Sequence, residues 1–361
     1  MKVLHVITNL EVGGAEKLLV DLLPRIADTS VVVELAIFVS TDTPFYRALK
    51  ASGIKIYEFS YQGSVYNIVN LIKLARLASK YDVIHTHNTA PQLFGAITSI
   101  IKRVKWVSTE HTTTNNHRVW WFLPIEKWMY NRYDHVICIS EAVRQNMHIV
   151  AGSKVASSVI YNGIDTQKYS QALAVDKSKI SSAHNHKVLI MVGRMSYQKD
   201  QATIIRAITE IRHDVELWLV GDGEKEKELK VLTQELGLED KVRFLGRRTD
   251  IPELLKAADI AIQSSHIEGF GLAAVEAMAA GLPVIASNIP GLSQVVNGAG
   301  LLFQHENYQE LSMIINSLLD NNDKYEQAAK ASVLRASKYD IETMAQKYID
   351  VYKQIVENER I

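Results

Sequence analysis

Along most of this 361-residue chain a short apolar run is followed by a longer segment of helical period, and that alternation leaves few architectures open. Strands alternating with helices argue for βαβ units on parallel sheets rather than for hairpins or bundles. Residues 1–7, 31–38, 54–59, 83–87, 105–108 and 135–139 read as strands, and residues 16–26, 44–51, 68–79 and 92–101 carry apolar positions at helical spacing. The second half repeats the theme, with strands over 188–192, 216–220, 242–245, 260–263 and 284–286 and helices over 201–211, 224–236, 251–257 and 272–280. The expected fold class is α/β, with two Rossmann-like doubly wound domains.

Length supports the division, because single cores stop growing at roughly 250–300 residues. A stretch over 170–187, rich in Ser, Lys, His and Asn and without apolar period, suits a linker and exposed loop. The expected domains are 1–165, 166–340 and a C-terminal helix, 341–361, packing across the domain junction. A composition of 47% hydrophobic and 22% charged residues is that of a soluble globular protein. The single cysteine, Cys138, sits in an apolar run, so no disulfide framework exists and a reducing cytoplasm suits the chain. The opening run is too short for a secretory leader, and no apolar stretch is long enough for a membrane span, so the chain is expected to be cytoplasmic, or peripheral at the inner face of a membrane. Net charge is zero, and no nucleic-acid partner is expected. Residues 1–165 hold 17 Lys+Arg against 13 Asp+Glu, a surplus of +4 that the remainder balances.

Gly13 and Gly14 follow the first strand and precede a helix, where backbone N–H groups can approach an anion. An ordinary strand-to-helix turn reads equally well, and the G-x-G-x-x-G spacing of dinucleotide enzymes is missing here. The sharper feature is Glu268-Gly269-Phe270-Gly271-Leu272-Ala273-Ala274-Val275-Glu276, directly after one strand and opening a helix. Carboxylates accept from sugar and ribose hydroxyls, while N–H groups at a helix start suit phosphate oxygens.

With this element the sequence resembles the retaining glycosyltransferases of family 4, whose hallmark is E-x7-E in the second domain of a GT-B fold. The resemblance extends through Gly193-Arg194 with Lys199 downstream, Gly221-Asp222-Gly223, Phe244-Leu245-Gly246, Gly281-Leu282-Pro283-Val284 and Asn162-Gly163-Ile164-Asp165. It implies two Rossmann-like domains facing across a cleft, the first binding the acceptor and the second a nucleoside-diphosphate sugar, with UDP the family-weighted base. By the same resemblance Glu268 would bond the donor sugar's hydroxyls and Glu276 the ribose hydroxyls, while Arg194 and Lys199 clamp the diphosphate beside Gly193. The N–H groups near Phe270, Gly271 and Leu272 would bind sugar and phosphate, with Gly13 and Gly14 approaching from the other domain. His111, in Thr109-Glu110-His111-Thr112, matches the family's histidine that lines the donor sugar, with a positioning role; a buried structural histidine is the rival reading. The acceptor would be a glycan or lipid-linked molecule in cell-surface polysaccharide or glycoconjugate synthesis. Other enzymes on this scaffold, a phosphorylase or an epimerase, and a silent sugar-nucleotide binder are the alternatives; no pyridoxal-phosphate lysine signature accompanies the motif.

No cofactor and no metal are expected. His85 and His87 share one strand face, but the sequence shows no third ligand, so His87 reads as a polar edge near the acceptor. Finally, Trp120, Trp121, Phe122 and Trp128 are interleaved with Arg118, Lys127 and Arg132, and Lys102, Arg103 and Lys105 precede them. Aromatic and basic residues together suit an anionic membrane surface or a lipid-linked acceptor, and a helix packed in the core fits as well.

Overall fold

Strands buried along their whole length need helices on both faces, and this chain has them in both halves: every residue of Val83–His87 and of Val215–Val220 is buried. The structure, a computed structural model, describes residues 1–11, 13–111, 122–180 and 186–357. It divides into two units, Met1–Gly163 with Ile341–Ile361, and Ile164–Asp340.

The first unit holds strands β1 (Lys2–Ile7), β2 (Val32–Val39), β3 (Ile56–Ser60), β4 (Val83–His87), β5 (Lys105–Glu110), β6 (His135–Cys138) and β7 (Ser157–Val159). They form one parallel sheet in the order β3-β2-β1-β4-β5-β6-β7, so the winding direction reverses between β1 and β4. Its connecting helices are α1 (Gly14–Ala27), α2 (Pro44–Ala51), α3 (Ile68–Ala78), α4 (Thr89–Thr98), α5 (Leu123–Tyr130) and α6 (Glu141–Ala151). Local chemistry sets several of their starts. Thr43 caps α2 by accepting from the Tyr46 N–H ahead of Pro44 at the first helical position, and Ser140 caps α6 by accepting from Val143.

The second unit holds β8 (Lys187–Val192), β9 (Val215–Val220), β10 (Val242–Gly246), β11 (Ile260–Gln263), β12 (Val284–Ser287) and β13 (Leu301–Phe303). Their order is β10-β9-β8-β11-β12-β13, again parallel, with the reversal between β8 and β11. Helices α7 (Thr166–Ser170), α8 (Gln201–Ile208), α9 (Glu226–Glu235), α10 (Ile251–Ala257), α11 (Leu272–Ala279), α12 (Leu292–Val296), α13 (Tyr308–Asp320) and α14 (Asn322–Ala336) flank it. Leu189, Met191, Ile204, Ile208, Leu217, Leu219, Ile260 and Ile262 lie at the centre of its core.

The last helix, α15 (Ile341–Glu357), follows the second unit in sequence and belongs to the first. Its buried stripe of Ile341, Met344, Ala345, Tyr348, Tyr352 and Ile355 joins Leu18, Leu19, Leu22 and Ile26 of α1 in the core of the first unit. Helical period reveals such a stripe but not the surface it covers. Burying side chains of this size contributes about 1.5–3 kcal/mol each, so the first unit needs the chain's far end to complete its core.

Candidate active site

In open α/β sheets ligands bind outside the carboxyl ends of the strands, where the winding reverses. In the second unit the loops leaving β8 and β11 meet there. The first carries Gly193, Arg194, a helical turn over Tyr197–Lys199, and Asp200. Asp200 caps α8, accepting from the Thr203 N–H at 3.3 Å and its hydroxyl at 2.6 Å. The second carries Glu268 and ends at the start of α11. Lys199 Nζ reaches across the reversal to donate to Glu268 Oε2, and the two side chains are only 22% and 16% exposed.

Glycines make this close meeting possible. The stem of Lys199 lies over Gly193, where a Cβ would stand 3.5 Å from Lys199 Cδ. At Gly291, with φ +92, a Cβ would fall 2.2 Å from the Glu268 carbonyl oxygen, so only glycine supports the Glu268 loop from behind. The first intrahelical hydrogen bonds of α11 run from Ala274 and Val275 to the Gly271 carbonyl. The N–H groups of Gly271, Leu272 and Ala273 therefore precede them and form the donor end of a helix. Glu276, on α11, is 7% exposed.

Two of the expected donor residues sit differently from their neighbours. Phe270 buries its ring edge-on against Tyr339, with centroids 5.3 Å apart, so its backbone alone faces the loop chemistry. Arg194 shares the Lys199 loop, but its side chain is 73% exposed and pairs with Glu224 at 3.1 Å. The structure thus brings Gly193, Lys199 and Glu268 together and turns Arg194 towards another carboxylate.

In the first unit the reversal lies between β1 and β4. Gly13 precedes α1 in extended backbone and Gly14 opens it; a Cβ on Gly14 would meet nothing within 4 Å, leaving that helix start open to close approach. The strands at this reversal carry a chain of imidazoles, His5 on β1 and His85 and His87 on β4. His87 Nδ1 is 3.1 Å from His111 Nε2, and His87 Nε2 is 3.0 Å from His5 Nδ1. His5 Nε2 is 3.2 Å from the Tyr352 hydroxyl, which is 2.6 Å from His85 Nδ1; His85 Nε2 is 2.7 Å from Thr109 Oγ1. Burial lowers the pKa of His5 to about 3 and that of His111 to about 4. Burial, with neighbouring histidines, pushes His85 and His87 well below the usual imidazole range. All four are neutral at pH 7.

Sequence spacing alone missed His5, the third imidazole beside His85 and His87. It faces His85 in register across β1 and β4. Three histidines in reach of one another invite a metal, yet the geometry serves hydrogen bonding. The His5 and His87 rings stack at 11° and the His85 and His87 rings at 20°, and every ring nitrogen of the three already faces a partner. A second group, Asp200, His266 and His305, was also missed. There His266 Nδ1 lies 2.5 Å from His305 Nε2, closer than two ligands about 2.0–2.1 Å from a tetrahedral ion would stand. This group braces the loops that carry Lys199 and Glu268.

Trp120 and Trp121 lie outside the described residues. Trp128, on α5, is 39% exposed. No helix among the described residues is long and apolar enough to cross a membrane.

Two doubly wound sheets, with a paired-glutamate loop at the reversal of the second, define a GT-B glycosyltransferase. The family model described as glycosyltransferase family 4 matches residues 12–168, and that described as glycosyl transferases group 1 matches residues 174–334. The structure of Anabaena HepE in complex with UDP and glucose is similar, with a TM-score of 0.85 and 30% identity over 98% of this chain and 100% of that one. An Escherichia coli UDP-Gal:alpha-D-GlcNAc-diphosphoundecaprenol alpha-1,3-galactosyltransferase is 29% identical over 71% of this chain and 70% of its own length. A Methanocaldococcus jannaschii uncharacterized glycosyltransferase is 28% identical over 77% of this chain and 76% of its own. The chain belongs to glycosyltransferase family 4.

Proposed function

We propose that the protein transfers a hexose from a UDP-sugar to a glycan or lipid-linked acceptor with retention of anomeric configuration and without a metal at the diphosphate. The observation that carries this reading is the Lys199–Glu268 pair at the second reversal, beside the donor end of α11. HepE has been crystallised with UDP and with UDP-glucose, and the Escherichia coli relative is named for a UDP-sugar donor and a diphosphoundecaprenol acceptor. In this reading Lys199, Arg194 and the α11 N–H groups hold the diphosphate, Glu268 holds the sugar hydroxyls and Glu276 the ribose. Gly13 and Gly14 leave room for phosphate, and His111 positions the sugar. The bond from the anomeric carbon to phosphate breaks, a bond to the acceptor oxygen forms on the same face, and the acceptor proton passes to the leaving phosphate oxygen. Lys199, Arg194 and oriented N–H groups stabilise the charge that develops there.

We extend the reading to an acceptor presented at an anionic lipid surface. Helix α3 supports it: Ile68, Val69 and Ile72 are 61%, 43% and 44% exposed, Lys73 and Arg76 continue the same face, and exposed Lys80 lies just beyond the helix end. Each basic residue near such a surface contributes about 1 kcal/mol.

A thermal-shift screen with UDP, GDP, ADP and their sugars tests the donor. A ligand at 100 times its dissociation constant adds about 2.7 kcal/mol, so UDP and one UDP-sugar are expected to raise Tm in EDTA as much as in Mg2+. No shift with any of these nucleotides, or a shift only with Mg2+, contradicts the reading.

A further inference from the structure

The four imidazoles of the first unit, three of them buried and His111 partly buried, do more than fill space. A neutral imidazole carries one N–H and one bare nitrogen, so fixing one hydrogen bond of a ring fixes what the other nitrogen must do. From Tyr352 through His5 and His87 to His111, each ring faces a partner on both sides, or is the end of the row. The row therefore has only two complete proton arrangements, and the single proton of the Tyr352 hydroxyl selects between them.

If Tyr352 donates to His5 Nε2, every proton points outward and His111 keeps its own on Nδ1. If Tyr352 donates instead to His85 Nδ1, its oxygen accepts from His5 Nε2, His5 Nδ1 accepts from His87 Nε2, and His87 Nδ1 accepts from His111 Nε2. The distances favour the second. The hydroxyl is 2.6 Å from His85 Nδ1 and 3.2 Å from His5 Nε2, and an O–H donor makes the shorter contact. His85 then donates from Nε2 to Thr109 Oγ1 at 2.7 Å, and Thr109 is also 3.4 Å from the Tyr348 hydroxyl.

We propose that Tyr352, His5 and His87 are positioning residues that keep the proton of His111 on Nε2, leaving Nδ1 as a hydrogen-bond acceptor for a donor-sugar hydroxyl. The role of Nδ1 rests on the reading of His111 in the preceding subsection; the proton order does not. The helix bearing Tyr352 follows the whole second unit in sequence, so the chain's last turns set the chemistry of a residue near position 111.

Histidine-selective 15N NMR tests this directly, because the two nitrogens of a neutral ring resonate far apart according to which is protonated. The His111 signals are assigned by their loss in His111→Gln. In the parent protein His111 is expected as the Nε2–H tautomer at pH 7. Tyr352→Phe removes one oxygen and leaves the ring packed, so the fold persists. It is expected to convert His111 to a mixture of tautomers and to lower kcat about threefold to tenfold with the donor KM unchanged. His5→Asn breaks the row one link nearer and is expected to do the same. An Nδ1–H tautomer or an imidazolium in the parent, or an unchanged tautomer in both variants, overturns the proposal. Full turnover in His111→Gln would instead remove the functional reading of His111, while the spectra of the parent and Tyr352→Phe still decide the proton order.

Discussion

At the reversal of the second sheet the side chains that meet are charged, Lys199 with Glu268 and, on neighbouring loops, Arg247 with Asp222 and Arg194 with Glu224. At the reversal of the first sheet they are four neutral imidazoles, joined by the Tyr352 hydroxyl and Thr109. A diphosphate needs cations and oriented N–H groups, whereas an uncharged sugar needs donors and acceptors whose protons are fixed. The same doubly wound frame thus supplies charge in one unit and proton order in the other. That difference accounts for why the Glu268–Glu276 element was legible as a motif, while the row through His5 and Tyr352 was not.

The comparison breaks most sharply on the charged side. Replacing Lys199 by Ala is expected to lower turnover about a hundredfold, since groups that stabilise developing charge contribute about 2.7–4 kcal/mol, and Glu268→Ala, which removes the acceptor for the donor sugar's hydroxyls, at least about tenfold. Arg194→Ala is expected to cost less, about tenfold, because its exposed guanidinium already shares a partner with solvent around it. Steady-state assays with circular dichroism as a fold check decide this; near-parent turnover in all three would remove charge as the distinguishing feature of the second unit.

Acid separates the units next. Imidazoles of the unfolded chain take up protons near pH 6.5, and burial holds His5 at about 3 and His111 at about 4 in the folded protein. Because the folded values are depressed, stability is complete above about pH 6.5 and is lost as pH falls towards them. Each buried histidine removes about 1.4 kcal/mol per pH unit in that window. In the second unit Asp259 is also depressed: burial raises it, but the Val188 N–H, Lys187 and Lys177 outweigh this. Its contribution persists until pH falls below the ordinary carboxylate range. Hydrogen exchange resolved by mass spectrometry is therefore expected to show the first unit, α15 included, opening between about pH 6 and 4, before the second. Simultaneous opening, or the second unit first, contradicts it.

The smallest expected effect concerns the exposed face of α3. Sedimentation with anionic liposomes at low salt is expected to retain the parent protein, and Ile72→Asp with Lys73→Glu to release most of it. Binding that ignores lipid charge, or an unaffected double variant, removes the lipid-surface reading and leaves a soluble acceptor.

Much of the frame follows from local pattern. The spans of α2, β4, α10 and β11 are given by apolar period and by cues such as Thr43-Pro44. Strands β7 and β13 are three residues each, too short to carry a period, and only their place beside β6 and β12 makes them strands. The paired glutamates were legible because nine consecutive positions fix a loop and a helix start together. His5 was not, since its partner lies 82 positions away and only sheet register joins them. Tyr352 was further still, on a helix whose amphipathic stripe does not name its partner. Charge on one loop can be read from neighbours in sequence; proton order across a sheet requires the fold.

Calorimetric titration of UDP tests the central claim, that the second reversal holds a nucleoside diphosphate through Lys199 and its neighbours. Parent protein and Lys199→Ala are compared in EDTA at one salt concentration. The account predicts one UDP bound per chain by the parent and at least about a tenfold weaker affinity in the variant, a difference of about 1.4 kcal/mol. Equal affinity in the two, or no binding by the parent without a divalent cation, would contradict it.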